Sequence, residues 1–213
     1  MPRPTPRLTK VILRVLGAEV VLTDFETISP DMIDMVAEIA RKEHALNLNQ
    51  FVNDNNFETR YQYTAREIDE QLNEVNRSPP KAIIAGVGMS GHIAAIAKYF
   101  KEKYGDRVKT ISVVLAKGEK LPGIKRLETK PKWFFQVKVD SVVEVTKEEA
   151  IEESIRIARK EGILIGLSSG AVTRAFMLVK EEIGKGVYVL IYPDDIFKYI
   201  DDFEAYLRKK GEL

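Results

Sequence analysis

The sequence predicts an α/β fold in which a parallel sheet is flanked by helices, and three observations carry that expectation. Helical and strand-like stretches alternate from end to end, as they do when strands are joined by crossover helices. Residues 82–93 run from an apolar strand through a glycine-rich turn into a helix. A second small-residue turn, Ser168-Ser169-Gly170, opens another helix.

The elements follow in order. A short amphipathic helix is expected over 8–16, and Ala18-Glu19-Val20-Val21-Leu22 reads as a strand. Ser29 is placed to cap a helix with Pro30 at its first position, where a missing N–H is harmless. Ile33, Val36, Ala37 and Ala40 form that helix's apolar stripe. Residues 45–48 read as a short strand and 57–72 as a helix, which the Ser78-Pro79-Pro80 break separates from the glycine-loop strand. The next strand covers 111–115. From 116 to about 135, Pro122, Gly123 and Pro131 deny regular structure, and a loop of that length in a compact domain is functional or disordered. Residues 142–145 form a strand leading to Thr146-Lys147-Glu148-Glu149, a capping box that opens a helix turning Ile151, Ile155 and Ala158 inward. Residues 162–166 read as a buried strand and 187–192 as the last one.

Composition narrows the classes of function. The 213 residues, 45% hydrophobic and 31% charged, suffice for one good-sized core or two small ones. Lys+Arg 33 against Asp+Glu 32 leaves a net charge of +1, so no global field draws the chain to nucleic acid or to an anionic membrane. A cysteine count of 0 removes disulfides, thiolate metal sites and cysteine nucleophiles together. His44 and His92 are too far apart in sequence to suggest a metal site, and no apolar run approaches a membrane span. Met1-Pro2-Arg3-Pro4-Thr5-Pro6 leads into an amphipathic helix rather than an apolar signal core, so a cytoplasmic location is expected. High charge without cysteine also suits a thermophilic source.

The chemistry points to Gly86-Val87-Gly88-Met89-Ser90-Gly91-His92. Glycines let the backbone turn sharply and approach a ligand, and the free N–H groups of the following helix favour an anion, phosphate or sulfate. The Gly86-x-Gly88-x-x-Gly91 spacing also fits a dinucleotide fold, or a mere strand-to-helix turn. A dinucleotide reading asks for an acidic residue at the tip of the next strand. Ala116-Lys117-Gly118 stands there instead, so the loop reads as a cradle for a smaller phosphorylated ligand.

Several collinear segments then coincide with one family. They are Leu16-Gly17-Ala18-Glu19-Val20, Asn49-Gln50-Phe51-x-Asn53-Asp54-x-Asn56-Phe57-Glu58, Thr64-Ala65-Arg66-Glu67-Ile68, Gly88-Met89-Ser90-Gly91-His92, Pro122-Gly123-Ile124-Lys125-Arg126-Leu127-Glu128-Thr129, the run from Glu161 through Gly166 to Ala171, and Pro193-Asp194-Asp195-Ile196-Phe197-Lys198-Tyr199. The chain resembles the pyridoxal-phosphate enzymes of the tryptophan synthase β fold (fold type II). Among them it resembles the cysteine synthases, most closely the archaeal O-phosphoserine sulfhydrylase type. Complete members begin upstream of the position of Met1, and their Schiff-base lysine motif and Ser/Thr-Gly-Asn substrate loop lie in that part. Neither motif occurs here. The resemblance therefore implies an incomplete version of the fold, with 1–52 a remnant of the small domain and 53–213 the large domain.

The resemblance carries the cofactor's phosphate cup onto Gly88, Met89, Ser90, Gly91 and His92. Met89 replaces the family's usual threonine, and His92 is either a phosphate contact or a solvated helix-start residue. Gln50 matches the glutamine that holds the substrate carboxylate, while Lys125 and Arg126 match a basic pair near the phosphate of O-phosphoserine. Of these two, the guanidinium of Arg126 is the better phosphate ligand. Asp195 stands where the family places a Ser or Thr hydroxyl against the cofactor's pyridine nitrogen, and Ile196 replaces a small residue beside the ring. A helix-capping role is the other reading of Asp195. No catalytic lysine is identified, although Lys117 and Lys125 lie in the long loop. The function implied is β-replacement by one half of a divided enzyme or a truncated relative, inactive alone, with pyridoxal phosphate as cofactor and a phosphorylated ligand or amino acid as substrate. A non-catalytic anion-binding or regulatory module is the alternative. A homodimer or a complementary N-terminal-half subunit is the expected partner, because unpaired edges and apolar surface are expected where the missing part would lie.

Overall fold

A computed structural model describes residues 1–213, which divide into two units, Met1–Asn49 and Gln50–Leu213. The first holds two helices, α1 (Arg7–Val15) and α2 (Pro30–Lys42). The Ser29 hydroxyl accepts the Met32 N–H at 3.3 Å and Pro30 opens α2, as the capping pattern predicts. The strands expected at 18–22 and 45–48 are absent. Apolar, β-branched residues favour a strand only where a partner supplies a ladder, and the only strand-like pairing in this unit is an isolated bridge between Pro2 and Thr23. On α2, Ile33, Ala37 and Ala40 of the expected stripe are half-buried beside the buried Met32, whereas Val36 is 40% exposed.

The second unit is built on a four-stranded parallel sheet, β1 (Ala82–Gly86), β2 (Lys109–Leu115), β3 (Ser141–Val145) and β4 (Tyr188–Leu190), in the order β3-β2-β1-β4. Ile84 pairs with Ile111 on one side and Leu190 on the other. Alternation along β1 divides its side chains between two covered faces. Ala82 and Ile84 enter a cluster with Ile111, Val113, Leu167 and Phe203. Ile83 packs with Ile96, Phe100 and Val108, and Ala85 and Val87 with Ile93 and Phe134.

One face is covered by α6 (Lys147–Glu161), α7 (Leu167–Ile183) and α8 (Ile200–Lys210). Thr146 and Glu149 form the predicted capping box of α6. Gly170 lets α6 and α7 approach closely, since a Cβ there would lie 2.0 Å from the Ala150 carbonyl oxygen. The other face carries α5 (Gly91–Tyr104) and a helical run made of α3 (Asn55–Thr59), a π-helical segment (Arg60–Ala65) and α4 (Arg66–Glu74). Asp69 is buried in the first turn of α4, accepting from the Tyr104 hydroxyl at 2.6 Å and from Lys103.

The buried strand expected at 162–166 is absent. Ile165 makes one isolated antiparallel bridge to Asp195, and Ile163 and Leu164 are 54% and 47% exposed. Gly166 instead caps α7, so the segment belongs to the loop that feeds a helix. No helix is long and apolar enough to cross a membrane.

Candidate functional site

The site forms at the carboxyl end of the parallel strands, where open α/β sheets bind their ligands. After β1 the chain turns through Val87, Gly88 and Met89 to Ser90, whose φ of 70° places a non-glycine residue in the left-handed region. That conformation is unfavourable by roughly 1–2 kcal/mol and is held by burial, since Ser90 is 0% exposed. Its hydroxyl oxygen accepts the backbone N–H of Trp133 at 3.2 Å. Helix α5 begins at Gly91 without a side-chain cap, so its first N–H groups and its dipole point at whatever occupies the loop.

Two glycines of the loop are required by close contacts. A Cβ at Gly88 would lie 2.7 Å from the Gly123 carbonyl oxygen, and one at Gly91 would lie 2.6 Å from Asn56 Oδ1. Lys125 N–H donates to the Val87 carbonyl at 2.6 Å, which fixes the long loop against the glycine turn. Gly123 in turn faces Ser168 at the start of α7. The amino ends of α5 and α7 therefore converge around Gly123. The spacing of the residues gave no reason to join the Ser168 turn to the glycine loop; only the sheet order makes them neighbours.

The side chains singled out in the sequence divide into two groups. His92 is neutral: burial, then the Arg60 charge, push its pKa down to about 4 from 6.5, against a hydrogen bond with the Gly86 backbone. Arg126 is fully engaged, its Nε and Nη2 donating to Glu128 at 3.1 and 2.7 Å and its Nη1 to the Leu115 carbonyl at 2.7 Å. Lys125 is different. Half-buried, with its Nζ 4.8 Å from the centre of the Phe51 ring, it has a pKa lowered by burial alone. Of the basic pair, Lys125 is thus the cation without a carboxylate partner. The Gln50 side chain is exposed, and its backbone carbonyl accepts from Asn56 Nδ2 at 2.9 Å. Asp195 is exposed and accepts the Phe197 N–H at 3.0 Å, the geometry of a helix cap, while Ile196 packs on the core.

Trp133, which no motif flagged, and Asp54, which lies in one of the family segments, hold the loop. Trp133 is 2% exposed and its indole Nε1–H donates to Asp54 at 3.0 Å, where Lys132 Nζ also donates at 2.7 Å. Those bonds, Lys132 first and Trp133 second, hold the Asp54 carboxyl below the usual carboxylate range.

The comparisons with known proteins agree with this geometry. The family model described as pyridoxal-phosphate dependent enzyme matches residues 1–194. Cysteine synthase B of Pseudomonas aeruginosa is 29% identical over 202 residues, covering 94% of this chain and 66% of that enzyme's length. The crystal structure of a hydrogen sulfide-producing enzyme from Fusobacterium nucleatum is 29% identical at a TM-score of 0.80, over 93% of this chain and 70% of that one. An O-ureido-L-serine synthase, 20% identical, has a TM-score of 0.82 over 97% of this chain and 65% of its own, which supports the fold. The chain spans just under two thirds of the first of these relatives. With the parallel sheet, the glycine loop and these matches together, the chain belongs to the pyridoxal-phosphate dependent enzymes of fold type II and is cysteine synthase-like.

Proposed function

We propose that this chain is one part of a β-replacement enzyme of cysteine synthase type, completed by a polypeptide that supplies the amine for the cofactor's aldehyde. The glycine loop carries this reading. It presents uncapped N–H groups of α5 at the carboxyl end of a parallel sheet, an arrangement that fits the phosphate end of pyridoxal phosphate. When bound, that cofactor supplies an electron sink for a carbanion at the α-carbon of an amino acid.

The chain's own residues bind and orient. Backbone N–H groups from Met89 to His92 hold the phosphate. The Gln50 carboxamide takes the substrate carboxylate, and Lys125 offers its unpaired ammonium to an anionic leaving group such as phosphate. Phosphoserine or acetylserine is the matching amino-acid class.

A second reading, a non-catalytic anion-binding or regulatory module, is favoured by two observations: Asp195 is engaged as a helix cap, and Met89 lacks a hydroxyl.

Inorganic phosphate binding measured by calorimetry tests the loop. Wild type binds, and Gly91→Leu abolishes binding with the circular dichroism spectrum retained; equal affinity in the variant would reduce the loop to a turn. Co-expression with a polypeptide carrying the lysine motif separates the two readings. A co-purifying coloured complex that makes cysteine from sulfide supports the enzyme, whereas phosphate binding without any such complex supports the module. Sedimentation of the chain alone checks whether a homodimer takes the partner's place.

A further inference from the structure

A line of hydrogen bonds joins the exposed carboxylate of Asp54 to the floor of the glycine loop. Asp54 Oδ1 accepts from Lys132 Nζ at 2.7 Å and from the Trp133 indole at 3.0 Å. Lys132 Nζ also donates to the Val52 carbonyl at 2.7 Å, which ties the Pro131–Trp133 strap to the segment after Gln50 at two points. From the strap, the Trp133 backbone N–H reaches the buried Ser90 oxygen. The same segment meets the loop again through Asn56, whose carboxamide packs against Gly91 and bonds to Gln50.

The place of the Ser90 bond matters. Ser90 is buried, sits in the left-handed conformation and lies one residue before α5, so the Trp133 N–H pins the turn from which the helix N–H groups emerge.

We infer that Asp54 and Trp133 form a latch that, through the Trp133 N–H bond to Ser90, holds the glycine turn in the shape that presents its backbone N–H groups to an anion, so that anion occupancy and the Asp54–indole bond are coupled. Asp54 is a positioning residue: it acts through Trp133 and touches no ligand. The coupling has a second consequence, because the strap that steadies Ser90 also steadies the segment bearing Gln50. This inference rests on the loop being an anion site.

Trp133 is the single tryptophan of the chain, so indole fluorescence and the indole N–H resonance report on this residue alone. Titrating the whole chain with inorganic phosphate is expected to shift both signals along one saturation curve, with the Kd that calorimetry gives. Asp54→Ala and Trp133→Phe are each expected to weaken phosphate binding roughly threefold to tenfold, the worth of one oriented hydrogen bond. The double variant is expected to lose no more than either single one. Asp54→Asn, which keeps an acceptor, should restore part of the loss, and in Ser90→Ala the affinity should no longer respond to Asp54→Ala.

Calorimetric binding with no indole shift, together with an unchanged Kd in Asp54→Ala, overturns the latch and leaves the anion site standing. Absence of phosphate binding in the wild type overturns both. If Trp133→Phe fails to fold, Asp54→Ala decides the matter, because that carboxylate is exposed and its loss leaves the core intact.

Discussion

Met1–Asn49 and Gln50–Leu213 differ in what they bury. The larger unit contains nearly every buried side chain, around a sheet covered on both faces. The smaller has one buried residue, Met32, yet it contributes 12 of the chain's 24 exposed large hydrophobic side chains. In α1 alone, Leu8, Val11, Ile12 and Val15 are exposed at helical spacing. Folding must offset roughly 1–2 kcal/mol of backbone entropy per residue, and apolar burial is the principal term that does so. The contrast teaches that good local signals, such as the Ser29 cap, build helices without building a core. Such a surface suits a unit completed by further polypeptide, in line with the partner proposed above.

The largest expected effect is in hydrogen exchange. Amides of β1 and α5 should exchange about a thousandfold or more slowly than those of α1 and α2, because the former open with the global transition and the latter locally. Equal protection in a mass-spectrometric time course would break the comparison.

Next in size is Phe100→Ala. Phe100 is 0% exposed and lies 5.4 Å, centre to centre, from the Tyr99 ring; truncation should cost about 3–5 kcal/mol in chemical denaturation. A loss below about 1 kcal/mol would mean the larger unit is as loosely built as the smaller.

Acid should destabilise the larger unit through His92. Its folded pKa of about 4 lies below the unfolded value of 6.5, so between them the unfolded state binds more protons and stability falls as the pH drops. The loss is bounded at about 3 kcal/mol. It should be complete near the folded value and reduced in His92→Gln, as read from denaturation midpoints across that window.

The smallest effect sharpens the contrast. Val36→Ser on α2 should change the stability of the chain by less than about 0.5 kcal/mol, since Val36 is already 40% exposed. If the completing polypeptide covers α2, the same change in the complex should cost more, and an equal cost in both would show that the contact lies elsewhere.

Much of this molecule follows from local chemistry. The four strands at 82–86, 109–115, 141–145 and 188–190, the caps at Ser29 and Thr146, and the glycine turn into α5 each rest on residues near in sequence. For that reason the fold class, the family and the position of the glycine loop could be read without coordinates. Strand identity at 18–22, 45–48 and 162–166 could not, because a strand is defined by its neighbour and these runs have no ladder to join. The site divides in the same way. The residues of the loop were legible, but the engagement of Arg126 by Glu128, the capping bond of Asp195 and the neutral state of His92 depend on what packs beside them. The approach of Ser168 to the glycine loop and the Asp54–Trp133–Ser90 line were not legible for a stronger reason: Asp54 and Trp133 alone lie 79 residues apart, and only the parallel sheet, by bringing its strand ends to one side, makes such residues neighbours.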